Sequence, residues 1–453
     1  MTLFNSSFLK LNRIPILVGV LSIILYTLFA YYLERTEVFK MLLLYGLLFF
    51  CFLKLYQTSK YNFKYAIGIG IVFRLIFIAA IPNLSQDFYR FIWDGRMIFE
   101  GLNPYLFTPE SFISSGKFPV AQAQELYNGM GQLNASHYTN YPPLNQLCFT
   151  IAAYLSNTNI LGAAIVLRSI LLLADIGIVY FGQKLLKKLN LSKSLIFLYF
   201  LNPFIIIELS GNLHFEGLML FFLVWALYLL HKRKLIYGAF IFACSIAVKL
   251  IPLIFLPLFF KYFKWRKSIL FYAFVGMFCI LMFLPFYSPQ FIDNYSQTVA
   301  LWFQNFEFNA SIYYILRAIG YSITGYNEIA IIGKLLAITT FVFVIFMSLW
   351  RKNQSTNQVI TNMLLVLTFY LFTTTTVHPW YVSSLVLLCV FTPFRYPLAW
   401  SFMVVLSYFA YITSDHNENL WLIGLEYIVV YSLCVIELYK NWSPQNDDQL
   451  INS

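Results

Sequence analysis

The stretch from Ser85 to Pro104, SQDFYRFIWDGRMIFEGLNP, is the first place where a largely apolar chain turns densely polar. Asp87, Arg90, Asp94, Arg96 and Glu100 fall within it, interleaved with aromatic residues and with Gly-Arg and Asn-Pro steps. The apolar run just before it, Tyr65 to Pro82, is long enough to cross a bilayer. The stretch is therefore expected to emerge from a membrane into water, and the remainder of the chain reads as a scaffold around it.

Composition sets the class. Hydrophobic residues make up 60% of the 453 and charged residues 11%, against about 25% charged in a soluble domain. The mean hydropathy of +0.71 agrees, and apolar runs of ~17–25 residues recur along the chain. The expected fold is an all-α polytopic membrane protein with about 12–14 transmembrane helices, some short or broken. A single integral membrane domain is expected over 1–453. The net charge of +11 lies in short basic loops, as the positive-inside bias requires, and no pattern suits nucleic acid. The six cysteines are widely spaced with no CxxC, so neither a zinc site nor a disulfide framework is indicated.

In chain order, apolar runs at Ile14–Leu33 and Val38–Tyr56 precede Lys60 and Lys64. With these lysines inside, residues 83–143 form an extracytoplasmic loop, whose aromatic content points to short surface helices rather than disorder. On a helix Asp87, Arg90 and Asp94 share one face, and Tyr89, Trp93 and Arg96 another. Tyr141-Pro142-Pro143-Leu144 returns the chain to the membrane. The segment that follows, to Ser156, reads as short, re-entrant or interfacial, and Leu161–Gly182 as a full crossing. Asn202-Pro203 interrupts Leu195–Leu209. Lys249, Pro252 and Pro257 break the segment from Tyr237 to Tyr262, so a pair of shortened helices is expected to meet near Lys249. His378-Pro379-Trp380-Tyr381 and 414–418 read as outer turns, and 440–453 as a cytoplasmic tail.

Ionisable groups at membrane depth mark functional sites by default, and each admits a plainer reading. Asp87 is either a general base or, with Asp94 and Arg90, part of an ion-paired surface helix. At the start of a helix its charge is favoured by the dipole. Arg96 either clamps a phosphate bidentately or snorkels at the interface. Lys249 reads as a buried lysine without a partner, suited to an anionic lipid headgroup. His378 either orients a phosphate or caps a helix. Glu208, His214 and Glu216 match no standard metal-ligand spacing, so no metal is expected, nor any cofactor.

Asp87-Phe-Tyr89-Arg90 running into Trp93-Asp94-Gly95-Arg96 and Asn103-Pro104-Tyr105 resembles the first outer loop of bacterial polyprenyl-phosphate-mannose-dependent mannosyltransferases, members of the GT-C superfamily. Tyr141-Pro142-Pro143-Leu144, Asn202-Pro203, Gly211-Asn212-x-His214, the Val248-Lys249 step and His378-Pro379-Trp380-Tyr381 resemble later signatures in the same order. The resemblance implies inverting transfer of a sugar, mannose by analogy, from a polyprenyl-phosphate donor to a glycan or glycolipid acceptor. It implies a multi-pass protein of a bacterial inner membrane, with membrane lipids around it and an extracytoplasmic active site. By the same resemblance Asp87 deprotonates the acceptor. Arg96, Lys249 and His378 are the available cations for the departing phosphate. Tyr89, Arg90, Asp94, Asn103, Tyr141, Asn212, His214, Glu216, Trp380 and Tyr381 complete the expected substrate-binding set. Gln86 stands where relatives often carry a second acid, and Glu216 where they carry aspartate. A transporter or flippase of a lipid-linked sugar shares the many spans and broken helices, but no inverted repeat is evident.

Overall fold

The computed structural model describes residues 13–59, 62–304, 306–412 and 417–442. Residues 414–416 of the expected turn at 414–418, and 443 onward of the expected tail at 440–453, lie outside them. Among the described residues every regular element is a helix, and the one pairing outside helices is an isolated bridge between Phe308 and Thr376. The all-α membrane class therefore stands. Among the described residues six helices are long and apolar enough to cross a membrane: Arg13–Tyr32, Val38–Thr58, Ile160–Lys188, Ile251–Phe286, Ile329–Leu349 and Leu420–Asn441. A seventh would be the pair Lys193–Phe200 and Pro203–Gly211, bent by 53° at the Asn202-Pro203 break. Glu216–His231, Leu235–Val248 and Pro379–Cys389 are apolar but shorter. Phe63–Ile76 and Pro143–Ser156 have 14 residues each, only ~21 Å of helix against a ~30 Å hydrocarbon core. Such short elements account for the gap between these spans and the dozen or more expected.

The chain divides into two compact units, Met1–Leu256 with Lys264–Leu301, and Pro257–Phe263 with Trp302–Ser453. In the first, α1 (Arg13–Tyr32), α2 (Val38–Ser59) and α3 (Phe63–Ile76) pack together. On α1, Tyr26 and Phe29 are buried while Ile14, Leu17, Leu21 and Ile24 are exposed. Both faces are apolar, as protein on one side and lipid on the other demand. Asn83 caps this helix, donating from Nδ2 to the Phe29 carbonyl at 2.8 Å and the Leu33 carbonyl at 3.1 Å. Two of the orphan carbonyls at the helix end are thereby satisfied.

The polar stretch then folds as α4 (Asp87–Phe99), packed between α6 (Ala123–Ala135) and α7 (Pro143–Ser156), with α5 (Pro109–Ser114) in the same loop. Far from lying open to water, α4 buries Phe88 and everything from Arg90 to Met97. Gly95 makes the close crossing possible. A Cβ there would stand 2.2 Å from the Phe149 carbonyl oxygen of α7, a backbone clash that only glycine avoids.

Beyond α7, α8 (Ile160–Lys188) carries two buried charges that hold its neighbours. Asp175 pairs with Arg74 of α3 at 2.6 Å and accepts from the Tyr199 hydroxyl at 3.1 Å. Arg168 donates to the carbonyls of Ser210 at 2.7 Å, Gly211 at 2.9 Å and Ile78 at 2.8 Å. The π-helical turn Ile206–Gly211 thus ends on a cation that collects its free carbonyls. The antiparallel pair α9 (Glu216–His231) and α10 (Leu235–Val248) packs beside α8. Helix α10 ends at Lys249, whose backbone is extended (φ −149°, ψ 145°), before the 3-10 turn Ile251–Leu258. The expected break at Lys249 is therefore present.

The second unit contains α11 (Ile312–Thr324), α12 (Ile329–Leu349), α13 (Thr356–Thr373), α14 (Val382–Cys389), α15 (Tyr396–Met403) and α16 (Leu420–Trp442). Its polar centre is Asn309. The backbone N–H of Asn309 donates to Glu418 at 2.6 Å, its side chain donates to Glu426 at 3.2 Å, and its carbonyl accepts from Tyr427 at 2.6 Å. Trp400 also donates to Glu426, at 2.8 Å.

Candidate active site

Asp87 opens α4 immediately after a tight approach. The Asn212 side chain accepts from the Leu84 N–H at 3.0 Å and donates to the Ile207 carbonyl at 3.2 Å. Asn212 so ties the segment leading into Asp87 to the end of the π-helical turn. The Asp87 carboxylate accepts from Asn134 Nδ2 at 3.1 Å. Burial raises its pKa; the Asn134 bond and the charges of Lys249 and Arg35 pull the other way without cancelling the rise. Desolvation therefore outweighs the helix-start effect that favours ionisation, and a carboxylate so raised is better matched to proton abstraction near neutral pH.

The next turn of α4 is held by internal pairs. Arg90 pairs with Asp94 at 2.8 Å and donates to the carbonyls of Asn134 at 2.5 Å and His137 at 2.9 Å. The second Asp94 oxygen accepts from Gln146 at 3.1 Å. Arg96 is buried and donates to the Ala121 carbonyl at 2.5 Å and the Gln122 side chain at 3.1 Å. Its fork closes the α6 entry loop, in neither of the two ways expected of it. Tyr89 covers Gly129, where a Cβ would meet the ring at 2.7 Å. Asn103 accepts from the Tyr105 N–H at 3.0 Å and donates to the Phe286 carbonyl at 3.2 Å, turning the loop. Tyr105 in turn donates to the Tyr141 carbonyl at 2.6 Å, and the Tyr141 ring packs edge-on against Phe91 and Phe149.

Glu216, at the first turn of α9, is ion-paired with Lys249. Lys249 is thus not the unpartnered lysine expected. A neighbouring helix, invisible in the local sequence, supplies its counter-ion. Glu216 is fully buried, while the Lys249 side chain keeps 19% of its surface exposed. His214 faces Glu208 at 3.7 Å, and Glu216 turns from them to the lysine. Asp87 interacts electrostatically with Lys249, Glu216 and Tyr141. Four groups from four separate segments, Asp87, Tyr141, Glu216 and Lys249, thus share one neighbourhood in the first unit.

His378, Trp380 and Tyr381 belong to the second unit. The His378 ring stacks on Trp380 with centroids 4.6 Å apart, and the Tyr381 ring stands edge-on at 5.5 Å. The backbone before them is fixed by Phe308, which donates to the Thr375 carbonyl at 3.1 Å and accepts from Val377 at 2.8 Å.

Residues 17–263 match the alpha-(1->6)-mannopyranosyltransferase N-terminal domain family, termed the MptA_B family. The match takes in the whole four-residue cluster and more than half of the chain. The chain belongs to this family. Mannosyl transfer is accordingly its general chemistry, and the resemblance carried by α4 is upheld. No individually curated protein matches the chain. His378, Trp380 and Tyr381 lie beyond the matched residues.

Several residues that build this neighbourhood were not singled out from sequence. Asn134 donates to Asp87, and Gln146 donates to the Asp94 of the Arg90 pair. Asn145 donates to the Val248 carbonyl at 2.9 Å, beside Lys249. Arg168 and Asp175 were visible in principle as charges inside the apolar run 161–182, where a lone ionisable residue signals a partner. Asn145 and Gln146 directly follow the Tyr-Pro-Pro-Leu step, but nothing in their spacing reveals what they touch.

Proposed function

We propose that this protein is an inverting glycosyltransferase that moves mannose from a polyprenyl-phosphate donor to a hydroxyl of a glycan or lipid-linked acceptor at the outer face of the membrane. Asp87 takes the acceptor proton as the hydroxyl oxygen attacks the anomeric carbon. The bond from that carbon to the phosphate oxygen breaks on the opposite face, and its electron pair leaves with the lipid phosphate. Lys249 stabilises the charge that gathers there. Tyr141 and Glu216 line the sugar site, and Asn212 holds the approach to Asp87. Arg90, Asp94, Arg96 and Asn103 keep the loop folded around them.

The observation that supports this most is the grouping of a raised carboxylate, Asp87, with a lysine whose side chain is partly exposed, Lys249, inside the family-matched region. A base and a cation for the leaving group are the two things such a transfer needs. The test is transfer by the purified full chain in lipid nanodiscs, supplied in parallel with polyprenyl-phosphate mannose and with a nucleotide-activated mannose. Release of free polyprenyl phosphate together with a mannosylated acceptor is expected from the first alone. Transfer from the nucleotide sugar would overturn the donor assignment. For orientation, a cysteine at Ser114 in a cysteine-free variant is expected to react with an impermeant thiol reagent in intact cells. Labelling only after lysis rejects the outer-face site.

A further inference from the structure

The Glu216–Lys249 pair raises a question of charge that the transfer chemistry leaves open. Glu216 is wholly buried, one oxygen is bonded to Lys249, and the other makes no hydrogen bond to another residue. The groups facing it are Lys249 from the end of α10, Asp87 from the start of α4, Tyr141 from the approach to α7, and Tyr199 from the broken pair. Asp87 brings a second negative charge, and the two tyrosines are neutral at physiological pH. Lys249 is thus the cation bonded to a buried carboxylate with a second carboxylate nearby.

A phosphodiester donor adds one more negative charge to this neighbourhood. If Lys249, whose side chain is partly exposed, turns to the phosphate, Glu216 loses the charge that makes its ionised form tolerable. A buried carboxylate without its cation is strongly disfavoured as an ion, and the usual escape is to bind a proton. We infer that donor binding exchanges the partner of Lys249 from Glu216 to the donor phosphate, and that Glu216 takes up one proton as this happens. Glu216 is thus the charge compensator of the donor site, which makes donor affinity rise as pH falls. This inference rests on the polyprenyl-phosphate reading above.

Calorimetric titration of the full chain in nanodiscs with polyprenyl-phosphate mannose tests it. The diester itself does not titrate near neutral pH, so heats measured in buffers of different ionisation enthalpy report the protons bound by the protein. Wild type is expected to take up about one proton per donor bound, and Glu216→Gln close to none. Glu216→Asp, which keeps a carboxyl, is expected to retain the uptake, so loss of a carboxyl and loss of folding are told apart. No uptake in wild type overturns the inference, as does uptake that persists in Glu216→Gln. Uptake that vanishes in Asp87→Asn while persisting in Glu216→Gln assigns the proton to Asp87 and overturns it too. Failure of wild type to bind this donor at all removes the donor reading itself, and with it the exchange.

Discussion

Asn145 donates a 2.9 Å hydrogen bond to the carbonyl of Val248, the residue before Lys249. Its neighbour Gln146 donates at 3.1 Å to Asp94 on α4. Two successive side chains at the start of one short helix therefore hold the lysine's backbone on one side and the buried ion pair of α4 on the other. Asn145→Ala is expected to leave Lys249 in place chemically but free its backbone. In the polyprenyl-phosphate assay this should appear as a fall of ~10-fold or more in kcat/KM, with folded yield changed far less. Unchanged kcat/KM in a folded variant would show that the Val248 tether has no bearing on transfer.

Asp87→Asn keeps the shape and the bond to Asn134 but cannot accept a proton. Transfer is expected to fall by ~10²-fold or more while the donor still binds. Asp94→Asn should act differently, since Asp94 is fully buried and neutralises Arg90. Breaking one partner of a buried pair costs ~3–5 kcal/mol, so reduced folded yield is expected from Asp94→Asn, and a denaturation midpoint reads it directly. A folded, stable Asp94→Asn variant without activity, beside an active Asp87→Asn variant, would reverse the two roles.

The pH profile follows from the same carboxylate. With Asp87 as the proposed base, its ionised form is the active one, so transfer should climb with pH through a midpoint above the usual ~4 of an aspartate. The Asn134 bond favours the charged form, and Asn134→Ala is therefore expected to move that limb to still higher pH. Stability runs the other way. A carboxyl whose folded pKa is raised contributes stability that is present at low pH and lost as pH rises through the raised midpoint. Asp87→Asn should remove that loss, so the inactive variant is expected to be at least as stable as wild type at neutral pH. Kinetic and thermal profiles across pH check both statements.

Much of the architecture was legible because it is set by local composition. Apolar runs, Asn202-Pro203 and the prolines that follow Lys249 each report a nearby physical constraint, and the membrane class and the breaks follow from them. The buried pairs were not legible, because they are agreements between distant residues. Lys249 looks solitary until Glu216 is brought to it from α9. Arg96 looks like a phosphate clamp until Ala121 and Gln122 close on it. The aromatic loop 83–143 reads as surface helices, yet α4 is interior, since Gly95 allows α7 to approach within backbone contact. A glycine's purpose shows only in the element that lies over it.

The Glu216–Lys249 pair offers a prediction in which stability and activity separate. Lys249→Met retains side-chain length but strands a buried carboxylate, so it should lower the denaturation midpoint as well as transfer. Glu216→Gln alone removes the negative partner and leaves the more exposed lysine able to reach solvent, so its structural cost should be smaller. The double variant carries neither charge. Replacing both members of a buried pair by neutral groups is often near neutral for stability, so much of the Lys249→Met loss should be recovered. Transfer should not be recovered, because no ammonium is left to meet the departing phosphate. A double-mutant cycle measured by denaturation and by kcat/KM resolves the two quantities. Recovery of both together would mean that Lys249 serves only to neutralise Glu216, and that the leaving phosphate is stabilised by another group.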